Sequence, residues 1–321
     1  MLVPPMPCSE MLRWSWRLAF GMLAFGCLPA DTRPPPARAI VSVQPSDSLL
    51  SGISAAATQD GWAIEYRRFL LGLGRVAIGG DRCTQYSDAE YTRIFDMLQP
   101  DTQKVSEHYA LGSCDFGFAV VQPSEDSLLG QGVSEVDAHL MRTPSTDPAV
   151  PRRGISVYVQ GQATRGGVTQ RFSWELRRRV AYRDCVAILA GERVSGLELA
   201  SGEEQQVRIQ ISGDALFQDG PDPELAQLRF DAFASADLVS GNADGEVSLA
   251  ELRRVKLADL PEGTYQLRST ADPAEVPGFA SAAPTLEDYL YTSALPGVAR
   301  FRDNGSCEIR VRSRFDDRPV D

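Results

Sequence analysis

At 321 residues the chain is long enough for one large domain or two modest ones, and its 43% hydrophobic content is ordinary for a globular protein. A formal net charge of -11 argues against nonspecific attraction to nucleic acid or to anionic lipid, so no nucleic-acid partner is expected. No apolar run reaches the roughly 18 residues of a membrane-spanning helix, so none is expected.

The N-terminus carries the first signal. Arg13 and Arg17 precede an apolar run from Leu18 to Phe25 that ends in Gly26-Cys27. Positive charge, a short apolar core and a small residue before a cysteine predict a lipoprotein signal peptide over 1–26, with Cys27 lipidated. Leu23-Ala24-Phe25-Gly26-Cys27 resembles a lipobox, with Ala24 where the usual Leu stands. Residues 27–39 include Pro29, Pro34, Pro35 and Pro36 and read as an extended tether.

From Ile40 the pattern favours strands. Trp62, Ile64 and Tyr66 alternate with Ala63, Glu65 and Arg67, and Val76 and Ile78 continue toward Gly79-Gly80. Ile155, Val157 and Val159 alternate with polar residues, and Gly166-Gly167 then separates them from a second period-2 run through Phe172, Trp174 and Leu176. That is a hairpin signal. Val207, Ile209 and Ile211 mark a further half-buried strand. A β-rich domain over 40–220 follows, with a sandwich-like arrangement expected from its turn-rich gaps. Past residue 221 the pattern turns helical, with one helix expected to open at Pro223-Glu224-Leu225 and run through Leu228 and Phe233, and another over Glu251 to Lys256, within a helical segment 221–265. In 266–321, Thr285 caps a predicted helix from Leu286 to near Pro296, with Asp288 completing the capping box, and residues 308–314 form a last strand. The fold class expected is therefore mainly β: a β-sandwich-like domain, a smaller helical region, and a C-terminal helix and strand packing on the main domain.

Cys83, Cys114, Cys185 and Cys307 fall in the mature part, and none forms a CxxC pair that would favour zinc. An even number in an exported chain predicts two disulfides with three connectivities open; proximity in sequence favours Cys83 with Cys114, leaving Cys185 with Cys307. Trp62 and Trp174 read as core aromatics. The two histidines, His108 and His139, read as surface or loop residues, and Met97 and Met141 are too few for a copper site.

One stretch carries metal chemistry. Asn242-Ala243-Asp244-Gly245-Glu246-Val247-Ser248-Leu249-Ala250-Glu251 resembles most of an EF-hand calcium loop. On that register Asn242, Asp244 and Glu251 occupy side-chain ligand positions, Glu246 a backbone-carbonyl position, and Ser248 the position where water often mediates. The first ligand position falls on Ser240 instead of a carboxylate, and Asp237, three residues earlier, reaches the ion only if the loop is lengthened. The competing reading is an acidic turn without metal.

No HExxH, GxSxG or phosphate loop is present. The order Trp62-Ala63-Ile64-Glu65-Tyr66-Arg67-Arg68-Phe69-Leu70, Leu111-Gly112-Ser113-Cys114-Asp115-Phe116-Gly117 and Phe230-Asp231-Ala232-Phe233 resembles an uncharacterised family of predicted bacterial lipoproteins. The resemblance implies an exported β-rich protein and brings no catalytic residues. The function expected is a non-catalytic cell-envelope binding module with one structural calcium, partnered by the membrane through its lipid anchor and by an unidentified envelope ligand or protein. The alternatives are a carboxylate-dependent hydrolase of envelope polysaccharide or peptide, and a scaffold subunit of an envelope assembly.

Overall fold

A computed structural model describes residues 34–87, 91–146, 153–268 and 283–311. Cys27 and the expected signal peptide lie outside the described residues. In chain order the elements are β1 (Ala37–Pro45), α1 (Asp47–Ser51), β2 (Ala63–Gly79), β3 (Cys83–Gln85), β4 (Thr92–Asp96), β5 (Gln103–Val120), β6 (Leu128–Leu129) and α2 (Glu135–Arg142). Next come β7 (Val157–Arg165), β8 (Val168–Leu176), β9 (Val180–Leu189), β10 (Glu192–Ser195), β11 (Leu197–Leu199) and β12 (Glu204–Ile211). The remainder is α3 (Asp231–Leu238), β13 (Glu246–Val247), α4 (Leu249–Leu252), α5 (Leu286–Tyr289), β14 (Ala299–Phe301) and β15 (Ser306–Val311). The protein is mainly β, with a small helical region and a C-terminal helix and strand.

The strands form one hydrogen-bonded network whose main path runs β13-β8-β7-β2-β5-β1-β12-β14. β5 is the strand that links its two ends. Its first half pairs with β1, and its second half pairs with β2 and β9. β1 lies parallel to β12 on its other side, from Arg38 opposite Glu204 to Pro45 opposite Ile211. The expected tether is therefore too long by three residues: β1 begins at Ala37, and Ala37 and Ala39 are fully buried between β5 and β12.

The predicted hairpin is β7 and β8, in register from Val157 opposite Leu176 to Arg165 opposite Val168. Gly166 and Gly167 both take positive φ, 57° and 84°, which is the two-residue turn that follows the twist of its strands. Its inward face feeds an aromatic core. Phe217 sits at the centre, with ring centroids 5.5 Å from Phe172, 5.8 Å from Trp174, 5.6 Å from Phe230 and 5.6 Å from Phe233. Trp62 and Trp174 are both buried there.

The helical region starts later than the sequence pattern predicts. Residues 222–226 form a turn, Leu225 is 75% exposed, and Leu228 bridges to Gln218. α3 begins only at Asp231, because its cap comes from far away: the Asp60 carboxylate accepts the Phe230 and Asp231 amides at 2.5 and 2.7 Å. α4 starts at Leu249, two residues before the predicted Glu251, and ends at Leu252, short of the predicted Lys256. The C-terminal expectation holds: Thr285 caps α5 with Asp288 in a capping box, and the following turns run to Gly297.

Candidate functional site

The acidic loop is built from the end of α3, β13 and the start of α4. Asp237 is fully buried, and its two carboxylate oxygens accept the Asp244 and Gly245 amides, each at 3.1 Å. It therefore reaches across residues 238–241 to the turn that Gly245 makes at φ 79°. Asp244 accepts the Glu246 amide at 2.9 Å and the Asn242 side-chain amide at 2.9 Å. Glu251 turns one oxygen onto the Ser248 amide and hydroxyl, both 2.9 Å away, and the other onto the Asn242 amide at 3.3 Å. Asp237, Asn242, Asp244 and Glu251 are thus held in one hydrogen-bonded ring.

Ser240 takes no side-chain part in that ring. Its backbone carbonyl accepts Arg254 at 3.3 Å, on the outer side of the loop. Glu246 contributes backbone to β13, and Ser248 caps α4. Among the described residues, no three His, Cys, Asp or Glu side chains converge in a geometry ready for a metal. The ring is closed by protein N–H donors.

The loop is seated on the sheet. β13 runs parallel to β8, with Val247 opposite Phe172, and the Trp174 indole N–H donates to the Val247 carbonyl at 2.8 Å. The Arg171 amide donates to the Gly245 carbonyl at 2.9 Å. The sequence carries no sign of this docking beyond the apolar Val247, because the partner strand lies some 70 residues upstream.

Both expected disulfides form, Cys83 with Cys114 and Cys185 with Cys307. The first ties β3 to β5 and the second ties β9 to β15. His108 is a correction: it is not a surface residue but lies buried on β5, 2.9 Å from the Ser106 hydroxyl, and burial pushes its imidazole pKa down. His139 is exposed on α2. Met97 and Met141 are fully buried core residues.

Among the hollows on the surface of the described residues, two are broad. One, of about 530 Å³, is lined in part by Ser48, Ser51, Glu65 and Asp214, and burial pushes the Asp214 carboxyl up. The other, of about 340 Å³, spans β2, β5 and β9. No protein-family model, no curated protein and no solved structure matches this chain. Among the described residues no helix is long and apolar enough to cross a membrane.

Proposed function

We propose that the protein is an exported cell-envelope binding module, anchored through a lipid on Cys27, whose acidic loop takes one structural calcium. The observation that carries the calcium is an imbalance of charge. Asp237 is fully buried and Glu251 is 6% exposed, and among the described residues neither has a basic side chain paired to it. Buried carboxylates are ordinarily met by a cation, because backbone N–H groups offset only part of the lost hydration. A hard divalent ion with six to eight oxygen ligands supplies that charge. Asp237, Asn242, Asp244 and Glu251 would offer side-chain oxygens and Glu246 its carbonyl, with Asp237 in the first position in place of Ser240. Strand β8 holds Val247 where a second hand would otherwise pair with it, so the role is structural. Two disulfides fit an oxidising compartment. The sandwich is part of the same reading: one apolar cluster draws on β1 and β12 as well as on β2, β7 and β8.

The test is a thermal melt in calcium and in chelator. Calcium should raise the melting temperature by mass action, with about 2.7 kcal/mol available at a hundredfold excess over the dissociation constant. Glu251→Gln should abolish the rise. Identical wild-type melts in calcium and chelator would reduce the loop to a capped turn. Cys27→Ser should separately move the protein out of the membrane fraction.

The hydrolase reading has one observation in its favour. Glu65 and Asp214 line one hollow, and burial pushes the Asp214 carboxyl up, the direction a general acid needs. Release of reducing ends from peptidoglycan, lost in Asp214→Asn, would support it; no release by the wild type would end it.

A further inference from the structure

Three neighbouring strands carry the same local pattern. It reads Arg75-Val76-Ala77-Ile78-Gly79 on β2, Asp115-Phe116-Gly117-Phe118-Ala119 on β5, and Arg179-Val180-Ala181-Tyr182-Arg183 leading into β9. The large residues of each run are buried in the core. The alternate positions face the other way, where Ala77 stands opposite Gly117, Gly79 opposite Asp115, and Ala119 opposite Ala181. The result is a hollow of about 340 Å³ in which these small residues lie among Phe116, Phe118 and Tyr182, with the charged residues Arg75, Arg179, Arg183, Asp115 and Asp184 also lining it.

The backbone around this hollow is irregular. Pairing of β2 with β5 is interrupted between Gly74 and Ala77, and Arg75 sits there at φ 49°. Pairing of β9 with β15 shifts between Ser306 and Glu308, and Asp184 lies on the bulged stretch at φ 47°. Two non-glycine residues in left-handed conformation thus stand on opposite sides of one cavity. Strain of this kind persists where the surroundings over-determine it, and it gathers at ligand sites. Gly117, Ala119 and Ala181 lie buried at the bottom of the hollow and Ala77 is exposed at its side, so small side chains leave a depression across three strands where larger β-formers would fill it. In a chain of net charge -11, three guanidiniums against two carboxylates leave the lining of this hollow net positive. Each of the three arginines also holds contacts within the chain, and five N–H donors per guanidinium allow sharing.

We propose that this hollow binds an anionic saccharide, with its acidic group held by Arg75, Arg179 and Arg183 and its hydroxyls by Asp115 and Asp184. A sugar ring fits over the small residues between those charges, and the volume suits a small ligand. The inference rests on the binding-module reading and names the ligand class. It is tested by calorimetric titration of the mature chain with trigalacturonate for a carboxylate, glucose 6-phosphate for a phosphate, and maltotriose as the neutral control. One anionic probe should bind saturably and weaken as sodium chloride is raised, while maltotriose gives no signal. Arg183→Ala should reduce affinity at least about tenfold by removing a charge-assisted contact. Ala77→Trp, at an exposed position that burdens no core contact, should fill the hollow and abolish binding. Silence from both anionic probes, or affinity unchanged in both variants, overturns the site. Equal binding of maltotriose that Ala77→Trp removes overturns the anionic class and leaves the binding module standing. The calcium-dependent melt, measured on the same samples, reports separately on the parent reading.

Discussion

Asp237 closes its loop with the chain's own N–H donors. In Asp237→Asn the new amide presents N–H toward the Asp244 and Gly245 amides, so at least one of those donors loses its acceptor. An unsatisfied buried group costs about 1–3 kcal/mol, and urea denaturation in chelator should show that loss, with the calcium response gone as well. The acidic turn from Asn242 to Glu251 was readable from spacing, because a tight glycine turn and a trailing glutamate are local features. Asp237 was readable only as an option, since its use depends on α3 ending where it does. At another buried residue the effect runs through pH. Burial lowers the His108 pKa below its usual 6.5, so the unfolded chain takes up this proton first as pH falls. His108 thus leaves stability intact above about pH 6.5 and reduces it on acidification below that value. His108→Gln, which keeps a partner for Ser106, should lose that part of the fall in melting temperature between about pH 7.5 and pH 5.5. An equal fall in wild type and variant would assign the acid sensitivity elsewhere.

Elements show where local signals suffice and where they fail. The β7–β8 hairpin and the Thr285 cap of α5 were legible because every partner lies within a few residues. The start of α3 was not, since its cap is Asp60, some 170 residues away. The hollow across β2, β5 and β9 did leave a trace, an alternation of large with small or charged residues, but nothing in one strand tells which others lie beside it. Between α4 and α5, Arg253 and Glu287 form a two-pronged ion pair at 2.7 and 2.9 Å, with the Glu287 side chain only 1% exposed. Arg253→Ala leaves that carboxylate buried without this partner, and a loss of about 3 kcal/mol is expected by chemical denaturation. The bridges act on strands in the same way. Cys185 and Cys307 are 122 residues apart, and loop entropy assigns roughly 5 kcal/mol to that closure, against roughly 4 kcal/mol for the 31 residues between Cys83 and Cys114. Cys185→Ser with Cys307→Ser should therefore lower the unfolding midpoint more than the Cys83 and Cys114 pair of changes.

At the scale of the whole molecule, the aromatic cluster joins sheet to helices. Phe217 is fully buried and touches rings from β8, from the turn before α3 and from α3 itself. Phe217→Ala should cost about 3–5 kcal/mol in a denaturant melt, with the calcium response weakened because the loop is carried by the same helix. That the protein is mainly β was legible from alternation alone. Its strand order was not, because pairings such as β1 with β12 join segments some 165 residues apart, and alternation fixes which face is buried without saying which strand is next. This placement has a mechanical consequence. β1 is the first strand of the described chain and an interior one, hydrogen-bonded along its length to β5 and β12. Force applied through the residues before Ala37 runs along the axis of β1 and loads both ladders in shear, so many hydrogen bonds must fail together. Had the first strand been an edge, the same pull would peel it away one bond at a time. A pull on the N-terminal side of this domain would thus meet its resistance at β1 itself, and forced unfolding would be governed by that slow step.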